Sequence, residues 1–376
     1  MSLTDQIKTL ARQLGFDLVG IAPAERPAHW PFYLAWLRKG YAGQMAYLSR
    51  NLERRADPQT VVPGAKSLLC VGINYAPPAE VRGENGTPRG QVSRYARGED
   101  YHDVMKGRLL DLLADIQELA PGTDGRVYVD TGPVLERDFA VRAGLGWFGK
   151  HTNLIHKRKG SWFFLGEILL TLELAGDGPQ PDHCGSCTRC IEACPTDAIV
   201  APYVLDSNRC ISYLTIELKG PIPTPLRPGL GNWVYGCDIC QEVCPWNEKH
   251  ARPTREGAFE AREGMTAPVL ADLLELDQAS FSRQFKGSPI KRSKRRGLLR
   301  NVAVVLGNAG SGSDVPALEK ALADLEPLVR GHAAWALGQI GGEAAQLALG
   351  QAAGRETDSY VCEEIQAALQ KLAETT

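Results

Sequence analysis

The sequence lacks any apolar run of the roughly 18 residues that a membrane helix needs, and its most apolar stretch, Trp162 to Leu172, is interrupted by Glu167. A membrane span is excluded. The N-terminal string MSLTDQIKTLARQLGF has neither the continuous apolar core of a signal peptide nor a twin-arginine pair. Instead Ile7, Leu10 and Leu14 are spaced as one face of an amphipathic helix, and the chain reads as cytoplasmic. An overall charge excess is also missing, with 42 Lys and Arg against 44 Asp and Glu. Cysteine is scarce outside one window: of ten, only Cys70 and Cys362 lie beyond the span from Cys184 to Cys244. A disulfide framework belongs to small secreted chains, so in a reducing compartment this clustering points to metal.

At 376 residues and 44% hydrophobic content, the chain is long enough for two or three compact units, each with its own core. Residues 1–175 alternate helical and strand patterns, which argues for an α/β (α+β) domain. Strands are expected at Ser67 to Ile73, Arg126 to Asp130 and Trp162 to Leu172, and a helix from Asp103 to Leu119. The Gly/Pro loop GDGPQPDH opens a cysteine-rich segment, 176–250, whose few apolar residues leave the metal as its expected core. A polar connector, 251–290, leads to an all-helical tail, 291–376. There Leu306-Gly307-Asn308-Ala309-Gly310 recurs 31 residues later as Leu337-Gly338-Gln339-Ile340-Gly341, in the manner of HEAT-type repeats.

Cys184-x2-Cys187-x2-Cys190-x3-Cys194-Pro195 is the bacterial ferredoxin run, in which short turns bring three thiolates to one iron–sulfur cube and the fourth serves the other. A second set, Cys237-x2-Cys240-x3-Cys244-Pro245, has Val234 in place of its first cysteine, and Cys210 is the available replacement. Exchange then assigns Cys184, Cys187, Cys190 and Cys244 to one [4Fe–4S] cluster and Cys194, Cys210, Cys237 and Cys240 to the other. Zinc also uses Cys-x2-Cys pairs, but the repeated proline-terminated pattern favours iron–sulfur clusters. Cys70 and Cys362 read as packing residues.

Gly144-Leu-Gly146-Trp-Phe-Gly149 formally matches a dinucleotide fingerprint. It follows ERDFAVRAG, a helical string rather than a strand, so that reading is rejected. The neighbouring strings carry more: Val129-Asp130-Thr131-Gly132-Pro133-Val134-Leu135-Glu136-Arg137, GLGWFGKHTNLI, GSWFFLGEIL, Arg55-Ala56-Asp57-Pro58, Ser93-Arg94-Tyr95 and Asp100-Tyr101-His102. Together with the double-cluster spacing and the repeat tail, this ordered set resembles the epoxyqueuosine reductase family over essentially the whole chain.

The resemblance implies a cobalamin held between the N-terminal and ferredoxin-like domains. It also implies electrons relayed through the two clusters from an external donor such as flavodoxin or ferredoxin. The substrate is then epoxyqueuosine in the anticodon loop of tRNA, reduced with loss of the epoxide oxygen as water. Carried over by motif, Asp130 is the proton donor beside the cobalt, although an Asp before Pro133 also suits a structural turn. Arg55, Ser93, Asn153, Leu154 and Leu165 fall in cobalamin-lining segments, with Ser212 beside Cys210. An Asp-x-His-x-x-Gly cobalt-ligand motif begins at Asp100 but fails at Met105, so a base-off cofactor without a histidine ligand is expected. The basic run Lys291, Arg292, Lys294, Arg295, Arg296 and Arg300 is the expected tRNA contact, and the chain is expected to act as a monomer. Two rival functions are a corrinoid reductive dehalogenase, usually exported and without need of a repeat tail, and a non-catalytic iron–sulfur electron carrier, which would not require the N-terminal domain.

Overall fold

The computed structural model describes residues 1–78 and 88–375. Contacts group the chain into two compact units: one of Met1–Glu80, Glu99–Ser207 and Ile239–Glu260, the other of Val81–Gly98, Asn208–Asp238 and Ala261–Thr376. The cysteine-rich segment is thus shared between units instead of forming a third.

In the first unit, helix α1 (Leu3–Gln13) starts at a capping box of Ser2 and Asp5 and buries Ile7 and Ala11. It leads to strand β1 (Leu18–Pro23). Strand β2 (Ser67–Asn74) follows, then helix α2 (Tyr101–Leu119), capped by Asp100 and burying Met105, Leu109, Leu112 and Ile116 along one stripe. Strand β3 (Gly125–Tyr128), helix α3 (Glu136–Arg142) and strand β4 (Phe163–Leu170) complete the frame. The sheet order is β1-β2-β4-β3 and every pair is antiparallel, which makes the unit α+β. Strand alternation separates the faces. At Gly166 the sheet meets Met105 and Leu109 of α2, whereas Cys70 and Leu169 pack with Phe139 and Ala140 of α3.

Two sequence expectations change here. Strand β1 was not among the expected strands, and a Cβ on its Gly20 would lie 2.0 Å from the Ala143 carbonyl oxygen. The strand expected to reach Asp130 stops at Tyr128, since Asp130 takes a left-handed conformation with φ 56°.

The second unit is built on helices α4 (Lys294–Ala309), α5 (Val315–Ala321), α6 (Pro327–Ile340), α7 (Gly342–Ala353) and α8 (Ser359–Thr375). The two recurring glycines explain the internal repeat. A Cβ on Gly307 would meet the Trp335 ring at 2.5 Å, and one on Gly338 would meet the Ala368 Cβ at 2.7 Å. Glycine at the same repeat position therefore lets α4 approach α6, and α6 approach α8. Arg300, expected among the RNA contacts, is fully buried. Its guanidinium donates to the carbonyls of Leu214, Leu218 and Gly220 at 2.6–2.8 Å, while Asn301 donates to Thr215 and Val234. Burial pushes Arg300 down to about 9, with no carboxylate among the influences on it. Arg300→Leu leaves these carbonyls unpaired and is expected to cost about 3 kcal/mol or more in chemical denaturation. Arg300→Lys, without the planar fork, recovers only part of the loss.

Candidate active site

Two constellations in the first unit carry chemistry. The first is centred on Asp130, at the turn where β3 ends. The left-handed backbone aims its half-exposed side chain (50% accessible) toward His102 at the start of α2, with Oδ2 3.3 Å from Nε2. The other imidazole nitrogen, Nδ1, lies 2.7 Å from Oδ1 of Asp100, the cap of the same helix. Tyr101 stacks on His102 at 4.1 Å and lies flat on Phe164 at 4.2 Å, which fixes the ring row against the sheet. Burial disfavours the imidazolium, but hydrogen bonds and charge from Asp100 and Asp130 outweigh it and push His102 up to about 9. A cationic imidazole therefore sits between two carboxylates at neutral pH.

Behind the turn, the Asp130 amide donates to the Glu136 carboxyl at the first position of α3. Glu136 in turn faces Glu167, which is fully buried in β4. Glu167 meets no conventional donor, which leaves a proton shared with Glu136 as its remaining hydrogen bond. Burial first, and then the neighbouring carboxyls, raise both groups, Glu136 to about 8. Arg55 closes the loop from another side, with Nη1 3.4 Å from the Gly132 carbonyl, and its Nε is buried without a partner.

The second constellation is the cysteine cavity. Cys184, Cys187, Cys190 and Cys244 line a space of about 280 Å³ together with Lys150, His151 and Trp246. Lys150 Nζ fixes the loop by donating to the carbonyls of Gly185 at 2.7 Å and Cys187 at 2.9 Å. Burial and the three neighbouring thiols push Cys190 up to about 11, a cost that a cationic iron–sulfur core relieves. Two buried donors also fit such a group. The Trp147 indole N–H has no conventional partner and packs beside Cys184 and Cys244. His151 Nδ1 accepts from the Asn153 amide at 3.2 Å, which leaves the proton on a buried, unpartnered Nε2. Burial holds that ring neutral, down to about 4. Trp147, Lys150 and His151 all come from the GLGWFGKHTNLI string, whose link to the cysteines only the fold reveals. The remaining cysteines divide, Cys194 and Cys240 in the first unit and Cys210 and Cys237 in the second.

The other expected site residues have mixed placements. Leu165 is partly exposed and Asn153 half-buried, whereas Leu154 is buried in the α3-side core. In the second unit Ser212 is half-buried. There too, Ser93 is buried and its hydroxyl is committed to Asp238 at 2.5 Å, so its side chain has no hydrogen to offer a cofactor. Most of the basic run is internally employed: Arg292 pairs with Glu217, Arg295 with Asp324 and Arg296 with Glu326. Lys291 and Lys294 are exposed.

These features define an iron–sulfur type of protein with an α+β domain and a helical-repeat tail, and comparison with known proteins agrees on the cluster domain and the repeats. Family models match at residues 183–247 (4Fe-4S double cluster binding domain), 55–131 (Epoxyqueuosine reductase QueG, DUF1730) and 291–370 (HEAT repeats). The chain is 46% identical to an epoxyqueuosine reductase of Xanthomonas campestris pv. campestris, over 89% of this chain and 96% of the relative. It is 42% identical to that of Escherichia coli K12, over 90% and 89%. A crystal structure of epoxyqueuosine reductase with an epoxyqueuosine-modified tRNA-Tyr stem loop superposes with a TM-score of 0.92 at 31% identity, covering 99% of each chain. A Bacillus subtilis structure, described as having its catalytic loop swung out of the active site, gives 0.89 at 30% identity and covers 98% and 99%. The chain belongs to the epoxyqueuosine reductase family.

The carboxyl pair gives a pH test. Glu136 and Glu167 hold protons more tightly folded than unfolded, where a Glu titrates near 4.5. The folded state therefore binds more protons between about 4.5 and 8, and stability falls as pH rises through that window. Glu167→Gln keeps the shape without the acid. It is expected to raise stability at pH 8 by roughly 1–3 kcal/mol relative to wild type, and to differ little at pH 4.5, as measured by thermal unfolding.

Proposed function

We propose that this chain reduces epoxyqueuosine in the anticodon loop of tRNA to queuosine, with Asp130 as the acid that protonates the departing oxygen. The reaction consumes two electrons and two protons and releases the oxygen as water. The observation that carries the reading is the held position of Asp130, whose amide is fixed by Glu136 and whose carboxylate is fixed by a cationic His102.

Cobalamin, when bound, supplies the reducing electrons at carbon that open the epoxide. Arg55 suits it, because a buried Nε–H without a partner can donate to an amide carbonyl of the corrin periphery. Leu165 and Asn153 supply partly exposed neighbouring surface, and Ser212 is the candidate from the second unit. Both nitrogens of His102 face carboxylates, which supports a base-off cofactor without that histidine as ligand. Cys184, Cys187, Cys190 and Cys244 would hold one cubane cluster and Cys194, Cys210, Cys237 and Cys240 the other, a pair that when bound would supply electron relay from an external carrier.

The chain's own part in the chemistry is proton handling. Cationic His102 directs its Nε2 proton at the Asp130 carboxylate and loads it with the proton that Asp130 hands to the departing oxygen, while Asp100 stabilises the charged ring and keeps it aimed. Glu136 and Glu167 hold the turn that presents Asp130. In the tail, Lys291 and Lys294 are the residues of the basic run best placed for tRNA phosphate, with Arg296 in a weak exposed pair at 3.9 Å.

Asp130→Asn is expected to retain iron, cobalt and tRNA binding while single-turnover reduction falls by about 10²–10⁴-fold. His102→Phe is expected to lower kcat with little change in KM and to remove the alkaline limb of the pH profile near 9. Near-normal turnover by Asp130→Asn overturns the assignment.

A further inference from the structure

A cleft of about 650 Å³ lies in the first unit, apart from Asp130, and the proposed reaction has not used it. One wall carries Arg12 of α1, and the turn after Ile155 contributes Lys157, Arg158 and Lys159; Arg252 adds a further cation. The sole acid lining it is Asp17, already paired with Lys159 at 2.9 Å. Arg12, Lys157, Arg158 and Arg252 have no acidic partner among the described residues. His156, at the base of the turn, is held down to about 4 by burial and then by Lys159 and Arg158, as expected in a strongly positive field.

The cleft and the cysteine cavity share a wall residue. His250 lines both. It stacks on Trp246 at 5.4 Å with an interplanar angle of 24°, and Trp246 lines the cavity that Cys184, Cys187, Cys190 and Cys244 share. Lys249, exposed at the same mouth, extends the positive surface. No Phe, Tyr or Trp lines the cleft itself, whereas single-stranded RNA sites interleave cations with stacking rings. Positive charge flanked by no ring other than the His156 and His250 imidazoles, beside the cysteine cavity, is complementary to an acidic protein.

We propose that this cleft and the adjoining mouth of the four-cysteine cavity are the docking face for a small acidic electron-transfer protein. The inference rests on the reductase reading, which requires two electrons per turnover. At each encounter the carrier would be oxidised by one electron, which would pass to the cluster that Cys184, Cys187, Cys190 and Cys244 would hold. Two encounters match one epoxide opened, and the accompanying protons leave with the oxygen as water.

The test uses the holoenzyme and flavodoxin as the acidic probe, measuring both its binding in the oxidised form and its rate of delivering electrons in the reduced form. The double variant Lys157→Glu/Arg158→Glu alters two exposed side chains, and Arg12→Glu alters the facing wall independently. Each is expected to weaken flavodoxin binding by at least about tenfold at low ionic strength and to flatten its salt dependence. Dithionite-driven turnover and tRNA affinity stay at wild-type values. Unchanged flavodoxin affinity overturns the proposal, as does a loss of tRNA affinity with flavodoxin binding intact, which makes the cleft a phosphate track. Dithionite-driven reduction of epoxyqueuosine-tRNA by the wild type tests the reductase reading separately, since it bypasses the docking face.

Discussion

The structure depends first on how it manages like charges brought close together. Asp130, Glu136 and Glu167 place three carboxyl groups around one turn, and Asp100 adds a fourth across His102. Such a group cannot ionise fully without a counter-ion, because burial removes the water that would screen it. The fold resolves the conflict asymmetrically. Toward solvent, His102 supplies a positive charge between Asp100 and Asp130; toward the core, Glu136 and Glu167 stay protonated at a cost in stability that grows with pH. The result is an aspartate whose backbone is held from the dry side and whose carboxylate is exposed on the wet side.

The cysteine cavity meets the same problem with sulfur. Thiols converging beside Cys190 raise one another, and the protein provides fixed neutral donors beside them: the Trp147 indole and the His151 imidazole. Lys150, committed to the Gly185 and Cys187 carbonyls, ties the same short string to the cysteine loop. The rings and the lysine that support the cysteines therefore come from the α+β domain sequence, upstream of the cysteine run.

Much of this was legible in the sequence because some spacings encode geometry directly. The Cys-x2-Cys-x2-Cys run specifies tight turns, and one cavity gathers Cys184, Cys187 and Cys190 with Cys244. The recurrence of Gly307 at Gly338 specified helices that touch. Other features were hidden because they depend on partners far along the chain. Glu167 read as a break in an apolar run, and only the α3-facing side of the sheet turns it into a neutral acid opposite Glu136. The GLGWFG string, read in the sequence only as a rejected nucleotide fingerprint, gave no hint that its indole packs beside cysteine. The basic run looked uniformly available, yet Arg292 and Arg295 are matched by acids 75 and 29 residues away, and Arg300 is spent on carbonyls.

The two repeat glycines limit how the tail can vary. Since the nearest atoms to a hypothetical Cβ at Gly307 and Gly338 belong to a neighbouring helix rather than to solvent, the limit there is distance, not polarity. Even alanine would act as a wedge, prising two cylinders apart by a fraction of an ångström. In an array where each layer rests on the last, that offset would be handed on, so the pitch of the whole stack is set by the absence of one methyl group per turn of the pattern.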